Sequence, residues 1–278
     1  MSFSHLIQPD VPIDRSRPVS LAALRDRIRR IEQPVRHGVL PFGVPAIDRA
    51  LPGGGLALGA VHEILGLGGD EEDGAAACGF IAGLLTRLGS SRPALWCLKR
   101  PDLYGPGLLA HGLDPACLVV VTAPRDEDIL WAIEEGLRAP GLAAIVGEIA
   151  RLPLVAGRRL QLAAEHSGVT AFLLRRWRNG AEAAFERERP SAAVTRWRIA
   201  ALPARERDDP RLRQTIGQPR WRVELLRCRG GVPAQWIVEV ADAAGHVRLS
   251  PELADRPAAT VKQERGRLDT ALSLMRTG

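Results

Sequence analysis

Short apolar runs alternate with segments of helical spacing through the middle of the chain. Residues 59–65, 94–98, 118–122, 142–146 and 170–174 each form a nearly unbroken apolar stretch of strand length. Between them, residues 75–88, 103–111, 126–137 and 159–166 place apolar side chains three and four positions apart, which predicts helices, with Asp126 placed to cap the third. Strands that are apolar on both sides, separated by helices, predict a mainly parallel sheet flanked by helices on both faces: the α/β class.

After Leu174 the period changes. Residues 196–201, 220–226 and 235–240 alternate with period two, and Gly230-Gly231 marks a hairpin between the last two, so these predict antiparallel edge strands at the C-terminal end. In each Arg-Trp-Arg triplet the Trp opposes its neighbours. Period two therefore turns Trp197 and Trp221 to the core and puts Arg196, Arg198, Arg220 and Arg222 on one exposed face, available to phosphates. Aromatics interleaved with arginine can also stack single-stranded bases, the competing reading. At the other end, Ser20 caps a predicted helix over 20–33, whose Leu21, Leu24, Ile28 and Ile31 form an apolar face opposite Arg25, Asp26, Arg29 and Arg30. Such a helix needs a partner surface, in this chain or another, and is the candidate association helix. The expected organisation is a polar, Pro-containing segment and linker helix over 1–35, a core over 36–240, and a polar tail over 241–278 with a short helix over 260–275.

A 46% hydrophobic fraction in 278 residues supports one sizeable core. No apolar run approaches the ~20 residues that span a bilayer, and the first 17 residues lack an apolar leader, so the expectation is a cytoplasmic protein with no membrane association. The four cysteines show no C-x-x-C spacing and read as reduced thiols; the histidines are isolated, and His62 sits in an apolar run as a core residue. No metal site is expected. Charge is segregated: residues 151–240 carry 18 arginines against nine acids, whereas residues 1–150 carry 14 basic against 18 acidic groups. A basic region of this kind suits nucleic acid or an acidic partner.

One stretch bears directly on chemistry. Gly69-Asp70-Glu71-Glu72-Asp73-Gly74-Ala75-Ala76 follows the first strand with the glycine spacing of a phosphate-binding loop, G-x-x-x-x-G-K-[ST]. Ala75 and Ala76 replace the lysine and the hydroxyl, and four carboxylates fill the expected turn. A triphosphate would meet like charge where it needs donors. ATP binding is not expected, and no cofactor is assigned.

Gly43 through Leu51, Gly53-Gly54-Gly55-Leu56 and Gly59 through Ile64, with Gly112-Leu113-Asp114 and the closing strand pair, resemble a RecA-type core over roughly residues 36–240. The resemblance implies a water-activating Glu at about Arg100 and a magnesium-side Asp near Gly147, with Glu148 one residue off and pointing the other way. The family's DNA-binding loops would fall at 149–158 and 175–195, which with the basic strands gives Arg158, Arg159, Arg175, Arg176, Arg178, Arg196, Arg198, Arg220 and Arg222 as candidate DNA- or partner-binding residues. More closely, Leu51-Pro52-Gly53-Gly54-Gly55-Leu56, Asp102-Leu103-Tyr104-Gly105-Pro106-Gly107-Leu108, Leu130-Trp131-Ala132-Ile133-Glu134-Glu135-Gly136-Leu137 and the stretch Arg220 to Gly231 are similar to the ImuA family. That resemblance implies a non-catalytic accessory of damage-induced, error-prone translesion synthesis. Its implied partners are an ImuB-type inactive polymerase, through it an error-prone replicative-type DNA polymerase, and RecA or single-stranded DNA. The alternatives are a SulA-type cell-division inhibitor and a RecA-paralogue ATPase.

Overall fold

The computed structural model describes residues 37–250, apart from 69, 90, 140, 178–179, 205–218 and 241. The helix expected over 20–33, with Leu21, Leu24, Ile28 and Ile31, and that over 260–275 lie outside the described residues. A small antiparallel pair, β1 (Val39–Leu40) and β2 (Leu56–Ala57), brackets the short helix α1 (Pro45–Asp48). The main sheet is then built by β3 (Val61–Gly66), β4 (Ala94–Leu98), β5 (Leu118–Thr122), β6 (Ala144–Ile149), β7 (Thr170–Arg175), β8 (Thr195–Leu202), β9 (Arg220–Cys228), β10 (Ala234–Val240) and β11 (Val247–Leu249). Helices α2 (Asp70–Leu88), α3 (Gly105–Leu109), α4 (Asp126–Arg138), α5 (Leu154–Ser167) and α6 (Gly180–Arg187) connect them.

The spatial order is β11-β10-β9-β8-β3-β7-β6-β4-β5. From β8 to β5 every pairing is parallel; from β8 to β11 every pairing is antiparallel. This is the RecA-like arrangement expected from the sequence, a mainly parallel sheet with antiparallel strands at its C-terminal end. Among the described residues no helix is long and apolar enough to cross a membrane.

Two cores clamp the sheet. On one face Phe80, Ile81 and Leu84 of α2 pack on Ile64, Val146, Phe172 and Leu174, and the core continues under the antiparallel wing through Trp197, Trp221 and Trp236. On the other, Ile129, Ile133 and Leu137 of α4 and Leu160 and Ala164 of α5 cover Leu95, Ile145, Ala171 and Leu173. The tryptophans of the alternating strands thus face the core. Gly147 lets α4 approach: a Cβ there would sit 2.1 Å from Ile133 Cδ1.

Four local expectations change. Helix α2 begins at Asp70, not Ala75, because carboxylates in a first turn are favoured by the helix dipole. Strand β6 runs Ala144–Ile149 rather than 142–146. Helix α6 lies where only a loop was expected. Strand β11, within the expected polar tail, hydrogen-bonds to β10 and extends the core past residue 240.

Candidate functional site

Of the connection from β3 to α2, Leu67 and Gly68 are described, and both are held by side chains from neighbouring helices. Asp73, one turn into α2, folds back so that its Oδ2 accepts from the backbone N–H of Gly68 at 2.7 Å. Its Oδ1 accepts from the Ala201 N–H of β8 at 2.8 Å. Arg187 of α6 donates to the carbonyls of Gly66, Leu67 and Gly68. An internal carboxylate therefore holds a loop N–H of the kind a phosphate would accept from. Ala75 is exposed beside the site, while Ala76 is buried in the core.

At the carboxyl ends of the parallel strands, between α2 and α3, lies a cleft of about 340 Å³, lined by α2 residues, Leu103, Tyr104, His111, Glu148 and Arg176. One arginine organises its wall. Arg176 follows β7, and its guanidinium meets three carboxylates from three separate elements. It is bidentate to Asp70 of α2 (2.8 and 2.6 Å) and to Asp102 after β4 (2.8 and 2.8 Å), and donates to Glu148 of β6 at 2.6 Å. Trp96 Nε1 donates to the second Glu148 oxygen at 2.8 Å, and Arg100 reaches Asp70 at 2.7 Å. Such forked, charge-assisted bonds are the strong kind, and their planarity fixes the three elements relative to one another.

Glu148 corrects an expectation. It shares the α2-side face with Ala144 and Val146, four and two residues before it, and lines the cleft. Glu148 does point opposite Gly147, whose Cβ position faces Ile133 of α4, so it is the position expected near Gly147 that lies away from the cleft, and Glu148 that lines it. Burial raises the Glu148 pKa, with Arg176 and the Trp96 hydrogen bond working against the rise. The hydrogen bond from Arg176 holds Asp102 below the usual carboxylate range. Burial opposes charge on Arg176, but its bonds to Asp102 and Asp70 and the nearby Glu148 outweigh it and raise its pKa. Cys78, on the cleft wall, is pushed up to about 12 by burial and is a poor nucleophile. No group of His, Cys, Asp and Glu among the described residues is arranged to hold a metal.

The other candidate arginines scatter. Arg175 is buried and pairs with Glu63 (3.4 Å) and Glu186 (3.1 Å), so it is not a DNA contact. Arg196 is likewise buried, on Glu63 at 3.0 Å and on the carbonyls of Arg187 and Arg189. The four arginines of β8 and β9 do lie opposite the tryptophans, but they do not form an exposed quartet. Arg198 is bound to Glu224 at 2.8 Å, Arg220 approaches Glu239 at 3.9 Å, and Arg222 alone of the four is exposed. Sequence reading missed the acids opposite them: Glu63, Glu224 and Glu239 share their face across the sheet, a pairing that only strand register reveals. On α5, Arg159 pairs with Glu134 of α4, and Arg158 is exposed. Arg178 lies outside the described residues.

Sheet order, the helix after the first strand and the cleft at the strand ends define a RecA-like α/β protein in which the turn after that strand is held by the protein's own side chains. No protein-family model matches the chain. The chain is 42% identical over 237 residues to Protein ImuA of Caulobacter vibrioides strain NA1000 / CB15N, covering 82% of this chain and 95% of that protein. The same figures hold for Protein ImuA of strain ATCC 19089 / CIP 103742 / CB 15. The chain belongs to the ImuA family.

Proposed function

We propose that this protein is a non-catalytic accessory of damage-induced, error-prone translesion DNA synthesis, acting by docking rather than by hydrolysing ATP. Membership of the ImuA family supports the setting. By the resemblance set out above, the docking partner is an ImuB-type protein without polymerase activity, and through it an error-prone replicative-type polymerase; RecA and single-stranded DNA are further partners. The observation that carries the non-catalytic reading is the Arg176 cluster. A guanidinium sits among Asp70, Asp102 and Glu148 beside the first-strand turn, while Asp73 takes the Gly68 N–H. A triphosphate entering there would have to displace an internal anion and face Asp70, in a helix turn with no lysine. Calorimetric titration with ATP and Mg²⁺ tests this. The expected result is no saturable heat, and micromolar saturable binding would overturn the reading. Co-purification with the ImuB-type protein from damaged cells tests the docking half, and its loss on deleting residues 1–35 would place docking on the predicted association helix.

A further inference from the structure

The nine-stranded sheet ends differently on its two sides. At one edge β11 is three residues long and carries the exposed Arg248. A short strand with a charged side chain discourages further pairing. At the other edge β5 reads Leu-Val-Val-Val-Thr, with no charge, no proline and no bulge, and among the described residues it pairs with β4 alone. Val119 is 48% and Val120 50% exposed. Successive side chains point to opposite faces, so both faces of the sheet are open at this edge. β5 thus has the sequence of an interior strand and the position of an outer one.

The backbone limits what fits there. The Ala123 N–H donates to the Leu98 carbonyl of β4 at 3.0 Å. Along a strand each residue turns its N–H and C=O to one side and the next residue turns them to the other. Val119, Val121 and Ala123 therefore bond to β4, and Leu118, Val120 and Thr122 turn both groups to the open edge. Two features bound that edge. Pro124, the next outward position, has no N–H. Ala116, two residues before Leu118, lies in a tight turn with its N–H held by Asp114 Oδ1 at 2.9 Å. A second β5, antiparallel and related by a two-fold axis at Val120, sets Leu118 against Thr122 and Val120 against Val120, and every outward N–H and C=O finds a partner. Sliding the register by two residues either way brings Pro124 or Ala116 into the ladder and loses bonds. Between the bonded pairs Val119 meets Val121, so the side chains that meet across the seam are apolar or β-branched. The same segment thus matches this edge in length, bonding and apolar character. The C-terminal continuation of the chain leaves at Ser250 beside the opposite edge, eight strand spacings or about 38 Å away. A five-residue seam buries far less than the roughly 2,000 Å² at which obligate dimers begin, so the association is reversible.

We propose that the β5 edge docks the β5 edge of a second copy of this chain, joining two sheets across an antiparallel seam with its two-fold axis at Val120. Sedimentation velocity on the full chain across a concentration series tests it, alongside Val120→Lys and Val120→Pro. The lysine sets two like charges together on the axis. The proline removes an N–H that points away from β4, so the protein's own ladder keeps its bonds. Circular dichroism melts check that each variant folds. The expected result is a concentration-dependent dimer for wild type and a dissociation constant raised at least tenfold in both variants. Oxidation with diamide reads the register. The Cα atoms of a bonded pair stand about 5.5 Å apart, within reach of a disulfide, so Val120→Cys should give a covalent dimer. Thr122→Cys, with its two copies about 15 Å apart, should give no more than wild type. A wild-type monomer at every concentration, an unchanged dimer in Val120→Lys, or equal cross-linking of the two cysteine variants would each overturn the proposal. So would a monomer whose Leu118, Val120 and Thr122 amides are protected from hydrogen exchange, since another segment of the chain would then hold the edge.

Discussion

Arg175 and Arg176 are consecutive, and the pleat sends them to opposite sides of the sheet. Arg175 closes a network with Glu63, Glu186 and, through Glu63, Arg196; its side chain is 2% exposed and Glu63 is fully buried. Arg176 gathers Asp70, Asp102 and Glu148 at the mouth of a cleft, with its side chain 19% exposed and Asp102 at 42%. The chemistry is the same, one guanidinium among carboxylates, but water reaches only one of them. The buried cluster holds α6 to β3, β7 and β8 and has no access to a ligand. The open one ties the ends of α2, β4 and β6 together outside the carboxyl ends of the parallel strands, where open α/β sheets generally bind ligands. Two arginines that read in sequence as a basic pair are thus one buried tie and one residue of the cleft wall.

The largest expected effect lies on the buried side. Arg175→Met leaves Glu63 with one guanidinium in place of two and Glu186 with only Arg189, inside the protein. Breaking a buried ion pair from one side costs about 3–5 kcal/mol. Urea unfolding should show that loss, and Glu63→Gln combined with Arg175→Met should cost less than the two singles added together. A loss below about 1 kcal/mol would mean that water enters the network and would erase the contrast between the two clusters.

A smaller effect, about 1–3 kcal/mol at neutral pH, is expected for Arg176→Met, which removes charge-assisted bonds from partly hydrated carboxylates. Its pH dependence sharpens the contrast. Asp102 has its pKa lowered by Arg176, so that part of the stability is present above the ordinary Asp pKa and is lost as pH falls through the folded value. Glu148 is raised by burial and takes its proton at a higher pH than an ordinary Glu. Wild type and Arg176→Met should therefore differ most at neutral pH and converge in acid. Unfolding curves at several pH values check this, and a gap that stays constant would assign the effect to packing of the aliphatic stem.

The parallel half of the fold was legible because strands buried on both faces are nearly continuous apolar runs, as in 94–98 and 170–174; the equally apolar 118–122 is instead the exposed edge strand. The beginnings and ends of elements at the site were not. Asp70 to Asp73 look like a solvated turn, yet the helix dipole and the inward bonds of Asp73 make them a helix start. Gly147 and Glu148 interrupt the apolar run of β6, so the strand seemed to end before the carboxylate that matters. Helix α6, short and rich in Ala and Glu, carried too little periodicity to separate from a loop. The fate of each arginine depends on acids such as Glu63 and Asp70 more than 100 positions away in sequence, which no local pattern encodes.

The smallest effect concerns nucleic acid. Of the four arginines expected to share a phosphate-binding face, Arg196 is buried on Glu63, Arg198 is bound to Glu224, Arg220 approaches Glu239, and Arg222 is exposed. A carboxylate beside an arginine competes with phosphate for it, so the face presents far less counterion-releasing charge than its composition suggests. If it does meet single-stranded DNA, Arg222→Ser should reduce the slope of log affinity against log salt by at most about 0.7, the value for one phosphate contact. Arg198→Ser should leave that slope unchanged, because its charge is already neutralised by Glu224. Both substitutions, being on the surface, should shift stability by no more than about 1 kcal/mol. Salt-titrated anisotropy on a labelled oligonucleotide reads the difference. Equal slope changes for the two would mean that Arg198 leaves Glu224 to reach phosphate, while no binding by wild type at low salt would leave Arg222 as a solubilising charge and confine the protein to protein partners.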